Sequence, residues 1–380
     1  MRTPDGLTLR QSDPLLFVSA LSLGILGLVL VTSATWHYNE NPTLVTNAWA
    51  IRHFLFLIVG IAAMLSIASL PPRILQGLAY AAYATSLLAL VAVALLGKQS
   101  AEHGAYAQRW IEIGGIQLQP SEPAKLALIV ALARVLAPGS QPGVRRLLLS
   151  AVVTAVPVLL VYLQPDLGTA LCMIAIWVGM MVLAGTSKRY VVGIGVLALA
   201  SMPLLWVSMR GYMRERVLTF LNPEAYALGE GYNLLQAQIS IGSGGMWGKG
   251  LMEGTQTQLR YLRLSHSDFI FSVLGEELGF IGAMVLLGLF LLLLFRILRA
   301  YDTGDGRFAS LMCAGVGSLI AFQMVANIGG NVGLSPAVGI PLPFISHGGS
   351  ALVTHFAALG LVQAGLLHRR QAVFSRTPPT

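Results

Sequence analysis

Residues 254–279, GTQTQLRYLRLSHSDFIFSVLGEELG, join a polar run to an apolar one. The polar half ends at Asp268, and Phe269, Ile270 and Phe271 open an apolar stretch that continues to residue 297. That is longer than the roughly 20 residues a helix needs to cross a bilayer core. Asp268 therefore stands at a boundary, while Glu276 and Glu277 interrupt the apolar run one or two turns further on. Either Ser267 or Asp268 could cap the helix, because both side chains accept hydrogen bonds from free first-turn amides. The alternative is that Asp268 is a base at the rim of a cavity. On a regular helix, Glu276 lies about 80° round from Asp268 and Glu277 about 180° round, with about 12 Å of rise to Glu276. Glu276 is then the candidate cavity partner and Glu277 a candidate for an internal pair with another helix. A tight carboxylate dyad with Asp268 would need the helix to break at Gly275 or Gly279.

The rest of the chain repeats this apolar pattern. With 55% apolar and 11% charged residues and a mean hydropathy of +0.72 over 380 residues, a soluble domain is excluded. Apolar stretches recur at 15–35, 50–70, 74–97, 122–137, 144–163, 167–185, 190–209, 269–297, 308–331 and 348–368. The expectation is an all-α, polytopic membrane protein of about ten helices, one integral membrane domain over 1–380. The stretch at 122–137 is short and carries Glu122 and Lys125, so it is expected to tilt into a cavity or to lie partly outside the hydrocarbon. Lys and Arg mark cytoplasmic loops. With the N-terminus inside, 14 of the 24 basic residues fall in cytoplasmic segments, including both tails, 1–14 and 369–380. Six others lie in one long outer loop, 210–267, between spans seven and eight. Both termini are thus expected in the cytoplasm, with the first span retained and membrane lipids around the bundle. The pI near 9.7 does not imply nucleic acid, because the basic residues sit at the inner ends of spans. The two cysteines, Cys172 and Cys313, both fall within spans and define neither a disulfide nor a zinc framework.

The outer segments carry the remaining polar motifs. Arg109-Trp110 leads to Gln119-Pro120-Ser121-Glu122, where Ser121 could cap a helix with Pro123 in its first turn. Lys125 shares a helix face with Glu122. It is either paired there or aimed at an anionic substrate, as charges inside membrane segments often are. Asp166, in Gln164-Pro165-Asp166-Leu167-Gly168-Thr169, either caps the sixth span or faces the same cavity. Residues 210–216 mix arginines and aromatics, suited to the head-group interface or to phosphates. Gly242 to Gly250 is not a phosphate loop, since Ser243 and Gly250 occupy positions where that motif needs Gly and Ser or Thr. It is expected to be re-entrant backbone within protein or a wet cavity. Residues 327–350, free of Lys, Arg, Asp and Glu, read as a rigid loop closing one side of that cavity, with His347 a hydrogen-bonded packing residue. No His, Cys and carboxylate cluster has metal-ligand spacing.

These motifs, together with Ile241-Gly242-Ser243-Gly244-Gly245, His266-Ser267-Asp268-Phe269-Ile270-Phe271, Glu276-Glu277-Leu278-Gly279 and Pro341-Leu342-Pro343-Phe344-Ile345-Ser346 before Gly348-Gly349-Ser350, run over nearly the whole chain. In them the sequence resembles the shape, elongation, division and sporulation (SEDS) family of bacterial membrane glycosyltransferases. Gly254 to Leu259 resembles its elongation-type rather than its division-type members. The chain departs from the family pattern at Arg263 and Leu264, where a Pro and an acidic residue are usual, and at His347, usually Tyr.

The resemblance implies polymerisation of lipid II, an undecaprenyl-pyrophosphate-linked disaccharide-pentapeptide, on the outer face of the cytoplasmic membrane. It also implies a class B penicillin-binding protein transpeptidase as partner, and Asp268 as the catalytic aspartate. A β-1,4 link made from an α-linked donor requires inversion. A base must then take the acceptor hydroxyl's proton, and desolvation would raise an aspartate from about 4 toward working pH. Lys125, Arg109 or a divalent cation such as Mg2+ would neutralise the pyrophosphate. Glu122, Asp166, Gln256, Glu276, Ser346 and Ser350 complete the candidate substrate-binding set, and no residue is assigned as a metal ligand. The same charged cavity could instead belong to a lipid II flippase or to a scaffold of the wall-synthesis complex. Charges gathered at one surface, with the inner span halves nearly free of them, favour catalysis.

Overall fold

The computed structural model describes residues 13–36, 47–96, 98–99, 108–113, 116–139, 143–209, 211–227, 229–304 and 306–374. The outer turn Asn39–Thr43, Glu102, His103, Gly104, Gly114, Gly115 and Arg210 lie outside the described residues, as do residues 1–12 and 375–380 of the two tails.

Among the described residues, ten helices of 16 residues or more occupy the ten apolar stretches. They are α1 (Pro14–Ala34), α2 (Ala48–Ala68), α3 (Pro72–Leu96), α4 (Ser121–Leu136), α5 (Val144–Leu163), α6 (Leu167–Leu183), α7 (Lys188–Ser208), α11 (Ile270–Thr303), α12 (Gly306–Asn331) and α13 (Gly349–Phe374). Seven of them (α1, α2, α3, α5, α11, α12 and α13) are long and apolar enough to cross a membrane by length and composition. The long loop between α7 and α11 is itself helical, with α8 (Gly211–Leu221), α9 (Glu230–Ser243) and the single turn α10 (Thr255–Gln258). Three short antiparallel strands, β1 (Lys98–Gln99), β2 (Gln108–Ile113) and β3 (Ile116–Leu118), fold the segment before α4 into a small sheet in the order β1-β2-β3. No strand there was legible in the sequence.

Lipid tails are as apolar as the helices, so close backbone approach rather than the hydrophobic effect must hold such a bundle together. Glycines supply it at the α2–α13 seam, where a Cβ on Gly360 would come 2.7 Å from the Met64 carbonyl oxygen and one on Gly60 3.0 Å from the Phe356 ring. The central helix is α13, with 83% of its apolar window buried. The short span α4 lies inside the bundle: α3, α5, α6, α12 and α13 surround it, and most of its residues, Glu122 and Lys125 included, are buried. By contrast α2, α3, α5 and α7 expose Leu, Ile and Val along their outer faces, as lipid-facing helices do.

Two expected caps are not formed. The N-cap of α11 is Phe269, with no side-chain cap, so neither Ser267 nor Asp268 plays that part. The chain enters α11 through tight turns that carry Leu264 at φ 54. Pro120, which has no capping side chain, takes the N-cap of α4 in place of Ser121. Asp166 does cap α6, accepting from the Thr169 amide at 3.2 Å and the Thr169 hydroxyl at 2.9 Å. At the other end of the bundle Asp13 caps α1 through the Leu15 and Leu16 amides and accepts from Arg296 Nε of α11 at 2.8 Å. Asp13→Ala is expected to lower stability by about 1–2 kcal/mol, read as a drop in Tm in detergent. Asp13→Asn, which keeps the cap and removes the charge, should lose less.

Candidate active site

Asp268 sits where three segments meet, and its backbone is held before its side chain is considered. The carboxamides of Asn327 and Asn331, one turn apart on α12, both donate to the Asp268 carbonyl oxygen at 2.9 Å. Asn331 is itself oriented by the Ser272 hydroxyl, which donates to its Oδ1 at 2.7 Å. On the other flank the Ser346 hydroxyl donates to the Ser267 carbonyl at 2.6 Å and the His347 amide donates to the His266 carbonyl at 2.8 Å. Three consecutive carbonyls are thus clamped by the 327–347 region, which does close one side of the site. The backbone at Asp268 is held from both flanks.

Two depressions adjoin the Asp268 side chain. The larger, about 490 Å³ with the open solvent at its mouth included, is lined by Asp268, Arg216, Thr219, Asn233, Leu264 and Gly339. The smaller runs between Asp268, Asn327, Asn331 and Ile340. Gly339, at φ 68, is where the backbone passes closest: a Cβ there would stand 3.0 Å from Arg216 Nη1 and 3.6 Å from Asp268 Oδ2. Among the described residues Asp268 is the one acid lining either depression.

None of the eight candidate substrate-binding residues lines either depression. Lys125 and Glu122 form a 2.8 Å ion pair in the protein interior, with side chains 1% and 3% exposed. Arg109 does not face an anion site. Its Nε reaches the Gln164 carbonyl and a second nitrogen the Pro165 carbonyl, so it closes the turn after α5, with Asp166 3.9 Å away. Gln119 links the same turn to the small sheet, through its side chain to Asp166 and its amide to the Ser350 hydroxyl. Arg109, Asp166 and Ser350 are therefore brought together, but as the fastening of the sheet to α6 and α13. Ser346 is spent on the Ser267 carbonyl and the Leu342 amide.

Glu276 and Gln256 meet each other rather than Asp268. The fully buried Glu276 carboxylate accepts from Lys249 Nζ at 2.9 Å, the Gln256 amide at 2.9 Å, and the amide and hydroxyl of Thr257. It clasps α10 and the Gly-rich loop onto α11. Glu277 accepts from the Ser33 hydroxyl of α1 at 2.5 Å, the expected pair with another helix. The expectation that Glu276 points toward Asp268 assumed a regular helix through both. In the structure α11 begins only after Asp268 and breaks at Gly279, and the loop fills the space the sequence reading left for a cavity.

His347 packs as expected, its ring 4.8 Å from Trp49 and 5.9 Å from both His53 and His266. Burial, followed by His53, His266 and Arg52 nearby, pushes its pKa down to about 3, so it is neutral at working pH. Its hydrogen bond comes from the backbone. Among the described residues no three His, Cys, Asp or Glu side chains are grouped as metal ligands.

The buried pair makes a direct prediction. Removing one partner strands a charge and costs about 3–5 kcal/mol, whereas replacing both is far milder. Lys125→Met should therefore lower Tm sharply, and Glu122→Gln combined with Lys125→Met should recover most of it. An unchanged Tm in Lys125→Met would show that the pair is not structural.

Comparisons with known proteins place the chain in a family. Residues 13–371 match the family described as cell cycle protein, FtsW/RodA/SpoVE. Peptidoglycan glycosyltransferase MrdB of Escherichia coli K12 is 39% identical over 314 residues, which is 82% of this chain and 84% of that one. A probable peptidoglycan glycosyltransferase FtsW of Trichlorobacter lovleyi is 34% identical over 366 residues, 94% of each. A chain from a structure described as the coordination of polymerization and crosslinking by a peptidoglycan synthase complex superposes with a TM-score of 0.80 at 32% identity, covering 95% of this chain and 99% of that one. The Thermus thermophilus rod shape determining protein RodA gives 0.68 at 31% identity, covering 95% and 97%. In sequence and in fold, over almost its full length, this chain belongs to the FtsW/RodA/SpoVE family, the SEDS proteins its motifs resemble.

Proposed function

We propose that this chain is a peptidoglycan glycosyltransferase of the elongation type that polymerises lipid II, with Asp268 as its general base. The observation that carries the reading is the site itself: one carboxylate, locked in place by Asn327 and Asn331 through its own carbonyl, lining an open pocket that an arginine also lines. The likeness to a rod shape determining protein, RodA of Thermus thermophilus, supports the elongation assignment.

In the reaction the acceptor hydroxyl oxygen attacks the anomeric carbon of the donor sugar. Its proton passes to an Asp268 carboxylate oxygen as the new C–O bond forms. The bond to the lipid diphosphate breaks on the opposite face with the electron pair leaving on phosphate, so the α-linked donor becomes a β-linked product. A positioned base of this kind contributes about 10²–10⁴-fold to rate. One carboxylate does not make an all-protein Mg2+ cage, and Asp268 is kept here for the proton; a Mg2+ ion carried by the substrate phosphates and water would ease departure of the diphosphate.

The positive-inside pattern puts both termini in the cytoplasm and the Asp268 end of the bundle outside. Asp13 and Arg296, paired at the opposite end of α11, then lie at the inner surface. A class B penicillin-binding protein is the partner this reading requires, consistent with the peptidoglycan synthase complex among the structural relatives. Purified protein with that partner, given labelled lipid II in detergent, should make glycan polymer. If the same preparation in vesicles moves lipid II across the bilayer and makes no polymer, the chain is a flippase.

A further inference from the structure

We propose that Arg216 binds the diphosphate of the lipid-linked substrate in the Asp268 pocket, a role that rests on the polymerase reading above. The sequence offered Lys125 and Arg109 as the cations for that group. The structure occupies both: Lys125 is buried against Glu122, and Arg109 holds the Gln164 and Pro165 carbonyls. Arg216, on α8, lines the same pocket as Asp268. Among the described residues no hydrogen bond or ion pair engages its guanidinium, whereas Arg109, Arg214, Arg296 and Arg307 each hold a carbonyl or carboxylate. The missing side chain of Gly339 leaves the guanidinium and the carboxylate flanking one open point.

A second observation fits a polar ligand. Two lining residues, Thr219 and Asn233, each carry a buried side-chain oxygen, Oγ1 and Oδ1, with no hydrogen-bond partner. The Thr219 side chain is buried almost completely, at 5% exposure. Buried polar atoms are satisfied in the great majority of cases, so these two orphans call for a partner, which a ligand or an ordered water supplies. Thr219 can donate to a phosphate oxygen and Asn233 can accept from a sugar hydroxyl. The planar guanidinium matches two phosphate oxygens at once. Placed there, Arg216 meets the negative charge that grows on the diphosphate as the anomeric bond breaks, while Asp268 takes the proton on the other side of the reacting carbon.

The test uses farnesyl diphosphate as the probe, with farnesyl monophosphate, inorganic pyrophosphate and phosphatidylglycerol beside it. On the purified wild-type protein, phenylglyoxal labelling of Arg216 followed by mass spectrometry should be blocked by farnesyl diphosphate and far less by the monophosphate. In binding measurements Arg216→Ala should weaken the diphosphate about 10- to 100-fold, the scale of a charge-assisted bidentate contact. Arg216→Lys and Thr219→Val should weaken it less. Asp268→Asn should bind the probe normally while making no polymer. Undiminished labelling in the presence of farnesyl diphosphate, or wild-type binding by Arg216→Ala, overturns the assignment. So does equal protection by phosphatidylglycerol, which would make the pocket a general head-group site. Protection by inorganic pyrophosphate supports it, since the diphosphate is the group recognised. If Asp268→Asn still polymerises while Arg216→Ala loses the probe, the base assignment fails and the diphosphate site stands.

Discussion

Gly279→Ala is expected to leave little folded protein. Gly279 breaks α11 at φ 64 and ψ −162, a conformation essentially reserved for glycine. A Cβ there would come 2.3 Å from the Gly248 nitrogen and 2.8 Å from the Met246 carbonyl group. Both are backbone, so no side chain can swing away. The close approach is also what satisfies the broken helix. The Lys249 and Gly250 amides donate to the Glu276 and Glu277 carbonyls at 3.0 Å, and the Phe280 amide donates back to the Gly245 carbonyl at 2.9 Å. Strain of about 1–3 kcal/mol and overpacking of about 1–3 kcal/mol add to those lost bonds, against a total stability of about 5–15 kcal/mol. Size-exclusion chromatography and Tm in detergent should show loss of the monodisperse peak or a large drop in Tm. Gly288→Ala, later in the same helix with nothing near its added Cβ, is the control and should match wild type. A Gly279→Ala protein with wild-type Tm would contradict the account of the break.

Asp268→Asn is expected to cut polymerisation by about 10²–10⁴-fold while leaving the fold and substrate binding intact. The substitution keeps the shape of the side chain and removes only its ability to take a proton. The contacts that fix residue 268 run through its backbone carbonyl to Asn327 and Asn331, so they survive the change. The loss should therefore appear in kcat rather than in Tm or in KM. Asp268→Glu, which keeps the carboxylate but moves it by a methylene, should retain more activity than Asn and less than wild type. Asn331→Leu should lower activity through a displaced but chemically intact Asp268, and this variant should also lose Tm because the Ser272 hydroxyl is left without its acceptor.

Much of the bundle was legible because length and apolarity alone decide a membrane span. All ten stretches read from the sequence are helices, including the short α4. Glu122 with Lys125, three residues apart, and Asp166 as a cap were equally readable, since local spacing determines those contacts. The non-local contacts were not. Nothing in the run from Gly242 to Gly250 shows that it lies against α11, because the partner is a helix break that only Gly279 permits. For the same reason Glu276 was assigned to a cavity that the loop and α10 fill. Ser346 and Ser350 were taken for substrate contacts, whereas each hydrogen-bonds backbone from a distant segment. Arg216 was hidden inside a basic stretch suited to head groups or phosphates. Only the return of residues 337–339 past α8 brings it into one pocket with Asp268, and that return is tertiary.

The central claim is that Asp268 is the base of a polymerase. Its most direct test is the rate of glycan formation from labelled lipid II by the purified protein with its transpeptidase partner, wild type against Asp268→Asn at equal Tm. Long glycan from wild type and at least about a hundredfold less from the variant, with lipid II still bound, is the predicted result. Glycan from Asp268→Asn at the wild-type rate would contradict it.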